Sequence, residues 1–405
     1  MSTATTIADL NSFVREIMRE EGVVNYDVQI DGQSGRGENY LGDVTFFAVT
    51  TENGKRYDLV MKTAKRSETL REKTPVESAY MRESMMYGEV IPEIEKFLRD
   101  TNSAIKVDFV PKIYWICNER GRETLIMENL QTKGFRHWDR RQPMDMNHAL
   151  FIVKYLGKYH GTTMAMKMLE SAKFEKLARP LNGVWEEFMK SMDGNALFGK
   201  SFKIALRSLE ENNKKDLVRK FKTVEEKLDQ IILGETLMED KLVITHGDSW
   251  INNFLLGYEE EKPSTPSQMY FVDFQLSSFD SPVRDLSYFI YTACDKTVLD
   301  DFDLLLRKYH SSLSESLDSL GCNVDDIFSY GQLKEHWKKY ANFGLILSTM
   351  IVRMELLESD EAPDLTEITE CGDNFAEIFN RPMRNEEVYN RRMLDVLTHF
   401  GENFL

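Results

Sequence analysis

The eight residues His246-Gly247-Asp248-Ser249-Trp250-Ile251-Asn252-Asn253 constrain this chain more than any other segment. A short apolar run, Leu242 to Thr245, leads into them, and a second, Phe254 to Leu256, follows. Twenty residues past Asn253, a third apolar run, Met269 to Phe274, carries a carboxylate at Asp273 near its end. A tight loop between strands can bring an Asp and an Asn five positions apart to one cleft, and a strand returning from a hairpin can add a second carboxylate there. Phosphoryl transfer needs that trio. A carboxylate must orient the attacking hydroxyl and accept its proton, and oxygen ligands must hold the metal that neutralises the phosphates. Asp248 fits the first task. Asn253 and Asp273 fit the second, because Mg2+ takes one or two carboxylates and completes its shell with phosphate oxygens and water. Asn252 stands one position short of the required offset. Singly, each residue also fits a turn, a loop cap or a strand end; only their joint spacing points to chemistry.

The rest of the chain divides in two. Val44 to Thr50, Tyr57 to Lys62, Lys112 to Cys117 and Thr124 to Glu128 are β-prone runs, and Glu52-Asn53-Gly54 joins the first two as a hairpin. Pro75 to Leu98 reads as helical and charged. Beyond about residue 145 the pattern turns helical: Ala149 to Leu169 is apolar at helical spacing, and Leu217, Phe221, Val224, Leu228 and Ile231 mark one face of a single helix stopped by Gly234. Glu259 to Gln268, acidic and rich in Pro and Ser, reads as a solvated turn, and helices run on from there to the end. The prediction is an α+β, two-lobed chain: residues 1–130 form a sheet-bearing lobe that binds nucleotide, and 131–405 form a helical lobe with the catalytic loop and substrate pocket.

With 42% hydrophobic and 29% charged residues, 405 residues are enough for two well-filled lobes. No basic patch followed by an apolar run opens the chain, and no stretch reaches bilayer-spanning length, so a cytoplasmic protein without membrane attachment is expected. Four scattered cysteines, without a CxxC pair, read as free thiols. A net charge of −16 disfavours nucleic acid, whose binding draws on Lys and Arg.

The loop resembles the catalytic core of aminoglycoside phosphotransferases and choline kinases. In finer detail it is similar to the ecdysteroid kinase-like family, also called CHK kinase-like, where HGD, any residue, Trp, any residue, Asn-Asn is common and Trp250 stands in register. Val272-Asp273-Phe274-Gln275 and Ser281-Pro282-Val283-Arg284-Asp285-Leu286-Ser287-Tyr288-Phe289 continue the similarity. The resemblance implies a protein-kinase-like fold, ATP and Mg2+ as cofactors, and transfer to a small alcohol. It also implies that Lys62, in Leu59-Val60-Met61-Lys62, contacts the ATP phosphates and pairs with Glu83 on a helix, with Lys65 as the competing lysine. A lysine in a low-dielectric cleft needs such an acidic partner to keep its charge.

Gly35 to Gly42 precedes the first clear strand, so Gly37, Asn39 and Tyr40 are expected over the phosphates, although no Gly-Lys-Ser/Thr ending makes it a Walker loop. Leu125 to Leu130 resembles the family's hinge, with Glu128 and Leu130 at the adenine edge and Asn129 where the family often has Asp. Gly134-Phe135 and Asp139-Arg140 read as structural. His246 and His160 read as hydrogen-bonding supports rather than acid or base, and Asp285 as a buttress of the loop rather than a metal ligand. Gln275 follows Phe274 where protein kinases have Gly, and little chain remains to dock a peptide, so the acceptor is a small molecule. The resemblance implies an ecdysteroid or similar apolar polyol. The alternatives are a cationic substrate of the choline or aminoglycoside type, and a pseudokinase that binds without turnover.

Overall fold

The computed structural model describes residues 3–35, 40–233 and 237–405. Five antiparallel strands build the first lobe: β1 (Tyr26–Gln33), β2 (Gly42–Thr51), β3 (Arg56–Ala64), β4 (Ile113–Cys117) and β5 (Thr124–Glu128), in the order β1-β2-β3-β5-β4. Alternation along the strands gives the sheet two different faces. Phe47, Val49, Leu59, Met61 and Ile126 pack against Leu10, Phe13, Val14 and Ile17 of the helix Thr3–Glu20. Val44, Phe46, Val60, Lys62 and Met127 face the other way, into the cleft between the lobes. On that side lies the helix Val76–Met85, which runs through a π-turn at Met86–Val90 into the helix Ile91–Asp100.

The second lobe is helical apart from two small ribbons: β6 (Val243–Ile244) with β9 (Phe279–Asp280), and β7 (Phe254–Glu259) with β8 (Lys262–Phe271). The whole is the two-lobed, protein-kinase-like α+β fold expected of the sequence. Several elements differ in detail. The expected turn over Glu259–Gln268 shrinks to Glu260 and Glu261, since β8 begins at Lys262; its prolines, Pro263 and Pro266, sit where the ladder already shifts register, so their missing N–H groups cost little. The single helix expected from Leu217 to Ile231 is two, Lys215–Glu226 and Leu228–Leu233, parted at Lys227, and Ile232 rather than Ile231 is fully buried. Gly234, Gly37 and Asn39 lie outside the described residues. Among the described residues no helix is long and apolar enough to cross a membrane, and all four cysteines are free thiols.

Two helices set the geometry beneath the cleft. Pro282–Ala293 starts with Ser281, whose hydroxyl accepts from Val283 N–H at 3.3 Å, followed by a proline at the first helical position. It packs along Asn342–Leu356 at a spot where only glycine fits: a Cβ on Gly344 would fall 2.2 Å from the carbonyl carbon of Ser287. Gly344→Ala must therefore push apart the two helices on which the site rests, and a loss of about 1–3 kcal/mol is expected in urea denaturation.

Candidate active site

Gly247 explains the turn into the site. Its φ is +85°, and a Cβ there would lie 1.9 Å from the carbonyl oxygen of Leu276, so both conformation and space require glycine. The backbone N–H groups this turn exposes go to one buried carboxylate: Asp285 accepts from His246 N–H at 2.6 Å and from Gly247 N–H at 2.8 Å. His160 Nε2 adds a third contact to Asp285, at 3.0 Å, while its Nδ1 meets the Tyr309 hydroxyl at 2.9 Å. Burial alone would raise the Asp285 pKa, but His160 and these donors more than offset it and hold the carboxyl below its ordinary value. His246 itself is kept neutral by burial. Its Nε2 must carry the proton, because it faces the Val272 carbonyl at 3.0 Å while Nδ1 accepts from Asp248 N–H at 3.3 Å. Both histidines and Asp285 thus hold the loop from behind.

On the cleft side, Asp248 is gripped at both carboxylate oxygens. Tyr288 donates to Oδ1 at 2.8 Å, and Asn253 Nδ2 donates to Oδ2 and to the Asp248 carbonyl, each at 2.9 Å. Burial, followed by the negative charge of Asp273, pushes the Asp248 pKa up to about 7 against the pull of those donors. Asp273 sits past the end of β8 with φ +67°, a left-handed conformation uncommon for anything but glycine, asparagine or aspartate. That backbone turn directs its carboxylate at Lys62, whose Nζ is 2.9 Å from Asp273 Oδ1 and 2.7 Å from Glu83 Oε2. Asp273 Oδ1 is a buried oxygen facing that ammonium. Burial opposes the Lys62 charge, but Asp273 and Glu83 outweigh it and raise its pKa. Glu83, fully buried, is pushed up to about 7 by that burial.

Two cavities meet here, and Asn253 and Asp273 line both. The larger, about 350 Å³, lies between the sheet and the second lobe; Lys62, Glu83, Glu128 and Leu130 line it, with Asn129 and Arg140. Asn129 caps the 3-10 turn Leu130–Lys133, its side-chain oxygen accepting from Gln131 N–H at 3.0 Å. Lys65 is elsewhere, 3.1 Å from Asp43 and 3.7 Å from Asp364, so the cleft lysine is Lys62. The smaller cavity, about 130 Å³, holds Asp248 and Trp250 against Trp185, Phe188, Phe198, Leu347 and Met350. Tyr40 lines this second cavity. The start of β2 pairs with the end of β3, at Gly42 and Ala64, far along the sheet from the hinge, and there the Tyr40 ring meets Phe379 at 6.0 Å. The walls contributed by residues 185–198, 347–354 and Phe379 carried no sequence signal, since apolar residues at helical spacing look the same whether they face a core or a pocket.

A metal fits the donor set. Asn253 commits its NH2 to Asp248, which leaves the amide oxygen to ligate, and Asp273 offers a buried carboxylate oxygen. Among the described residues no three His, Cys, Asp or Glu side chains cluster into a protein-only cage. The buttress yields a stability prediction. Asp285→Ala, which leaves two buried N–H groups and His160 without their acceptor, should cost about 3–5 kcal/mol in urea denaturation, and Asp285→Asn, which keeps one oxygen, clearly less.

Comparison with known proteins sets this geometry in context. No curated protein matches the chain in sequence. Among solved structures, the chain is similar in path to a macrolide 2'-phosphotransferase from Brachybacterium faecium, at 11% identity over 91% of this chain and 98% of that one, with a TM-score of 0.37. It is likewise similar to an aminoglycoside 2'-phosphotransferase-IIIa in its GDP complex, at 10% identity over 97% and 99%, with a TM-score of 0.39. The profile of the ecdysteroid kinase-like family matches residues 36–322, which include His246 to Asn253 and Asp273. The chain is a member of the ecdysteroid kinase-like family.

Proposed function

We propose that this protein transfers the γ-phosphoryl group of MgATP to a hydroxyl of an apolar small molecule, an ecdysteroid or a similar polyol. The observation that carries the reading is the junction of two unlike cavities at Asn253 and Asp273, one lined with charge and hinge backbone, the other with aromatic and aliphatic side chains around Asp248. In this reading residues 1–130 hold the nucleotide, with Lys62 on the phosphates, Glu83 fixing Lys62, and Glu128 and Leu130 at the adenine edge. Residues 131–405 hold the acceptor. Asn253 and Asp273 would ligate Mg2+, which neutralises phosphate charge when bound.

The acceptor oxygen attacks the γ-phosphorus in line, its bond to phosphorus forms as the bridging β–γ bond breaks, ADP leaves, and the hydroxyl proton passes to Asp248. A carboxylate with its pKa near 7 suits that proton. The acceptor cavity holds no carboxylates besides Asp248 and Asp273 among its lining residues, which favours an apolar alcohol over a cationic amine. A whole steroid exceeds about 130 Å³, so Met192, Met350 and Met354, flexible side chains on its wall, must swing aside to admit one.

Asp248→Asn should lower transfer at least about 100-fold and leave MgATP affinity near wild type, as expected for loss of a general base. Asp273→Ala should instead weaken MgATP binding, read by calorimetry. Competition between an ecdysteroid and choline for transfer of labelled phosphate separates the two acceptor classes. MgATP consumption that no added alcohol stimulates would instead favour a binding module without turnover.

A further inference from the structure

Tyr288 stands forty residues past Asp248, within Ser281 to Phe289, the stretch that continues the family similarity. In the structure it lines the acceptor cavity, is 1% exposed, and donates its hydroxyl to Asp248 Oδ1 at 2.8 Å. Its ring packs edge-on against Phe343, centroids 6.3 Å apart and planes at 85°, so it cannot turn away without disturbing the helix Asn342–Leu356. Three residues earlier on the same helix, Asp285 holds the loop backbone at His246 and Gly247. A spacing of three puts both side chains on one helix face. One rigid element therefore grips the catalytic loop twice, once at its main chain and once at its carboxylate.

The other restraint on Asp248 comes from Asn253, whose NH2 donates to Oδ2 while its amide oxygen stays free to face a metal. Tyr288 holds Oδ1 and does not line the larger cavity. Burial, then the neighbouring Asp248 charge, raises the phenol pKa well above its ordinary value, which keeps the hydroxyl a donor.

Resting on the phosphotransfer reading above, we propose that Tyr288 is the positioning residue of Asp248: its hydrogen bond fixes the plane of the carboxylate against the acceptor hydroxyl. The test compares Tyr288→Phe, Asp248→Asn and the double variant in phosphoryl transfer from MgATP to an ecdysteroid, with MgATP hydrolysis by water as the reaction that needs no added acceptor. Tyr288→Phe keeps the ring and its packing. It should lower kcat roughly 10- to 100-fold, the worth of one hydrogen bond to a charged group, with either KM changed less than about twofold. On the Asp248→Asn background the same change should move the residual rate less than about twofold, because its target is already gone. Wild-type kcat in Tyr288→Phe, an equal loss on both backgrounds, or a raised KM with kcat intact would each overturn the positioning role while leaving phosphotransfer standing. Full activity in Asp248→Asn, or an unmodified protein that turns over neither acceptor, would remove the phosphotransfer reading and this inference with it.

Discussion

Lys62 is the point on which the two lobes are registered. Its ammonium reaches from the middle of the sheet to Glu83 on a helix of the same lobe and to Asp273 of the other, so three separately folded pieces share one buried charge. Such a cluster adds little net stability, because desolvating the ions costs nearly what their attraction returns. Its effect is on geometry. Moving any one partner strands the others as uncompensated buried charges, which ties the distance between the sheet and Asp273, and hence the width of the cleft, to an ion pair rather than to soft apolar packing.

The helix Pro282–Ala293 does for the catalytic loop what Lys62 does for the lobes. A loop of this shape turns its N–H groups inward, and inward N–H groups require an acceptor. Asp285 supplies it, His160 holds Asp285, and Gly344 lets the neighbouring helix come close enough to press the assembly into place. The loop is thus irregular in backbone and rigid in position, the combination that a site built for accurate placement needs.

What the sequence disclosed follows from distance along the chain. His246 to Asn253 form a contiguous unit, and Asp273 follows a hairpin, so spacing alone could bring them together. Lys62 and Glu83 were legible only through the resemblance to the family, since nothing in their spacing singles out that lysine and that glutamate. Other features were not. β1 went unread although Tyr26, Val28 and Ile30 alternate with Asp27, Gln29 and Asp31, because it is an edge strand with no fully buried side chain and the clearer apolar runs begin only at β2. The acceptor cavity draws its walls from Tyr40, the stretch around Trp185 to Phe198, Leu347 to Met354, and Phe379, and no pattern in one sequence links such remote pieces.

The contrast between the two cavities has a mechanistic consequence. Transfer to an alcohol competes with transfer to water, and a kinase that binds its alcohol weakly must keep water from the same position. A wall of Trp185, Phe198, Met350 and Leu347 offers water almost no hydrogen-bond partners, so an ordered water beside Asp248 would lean on Asp248 itself and on what the metal holds. An apolar acceptor displaces such a water at little cost and adds the burial of its own surface. In the proposed reading, the charged side of the cleft would bind nucleotide in the presence of solvent, while the apolar side would reserve Asp248 for a partner that fills it.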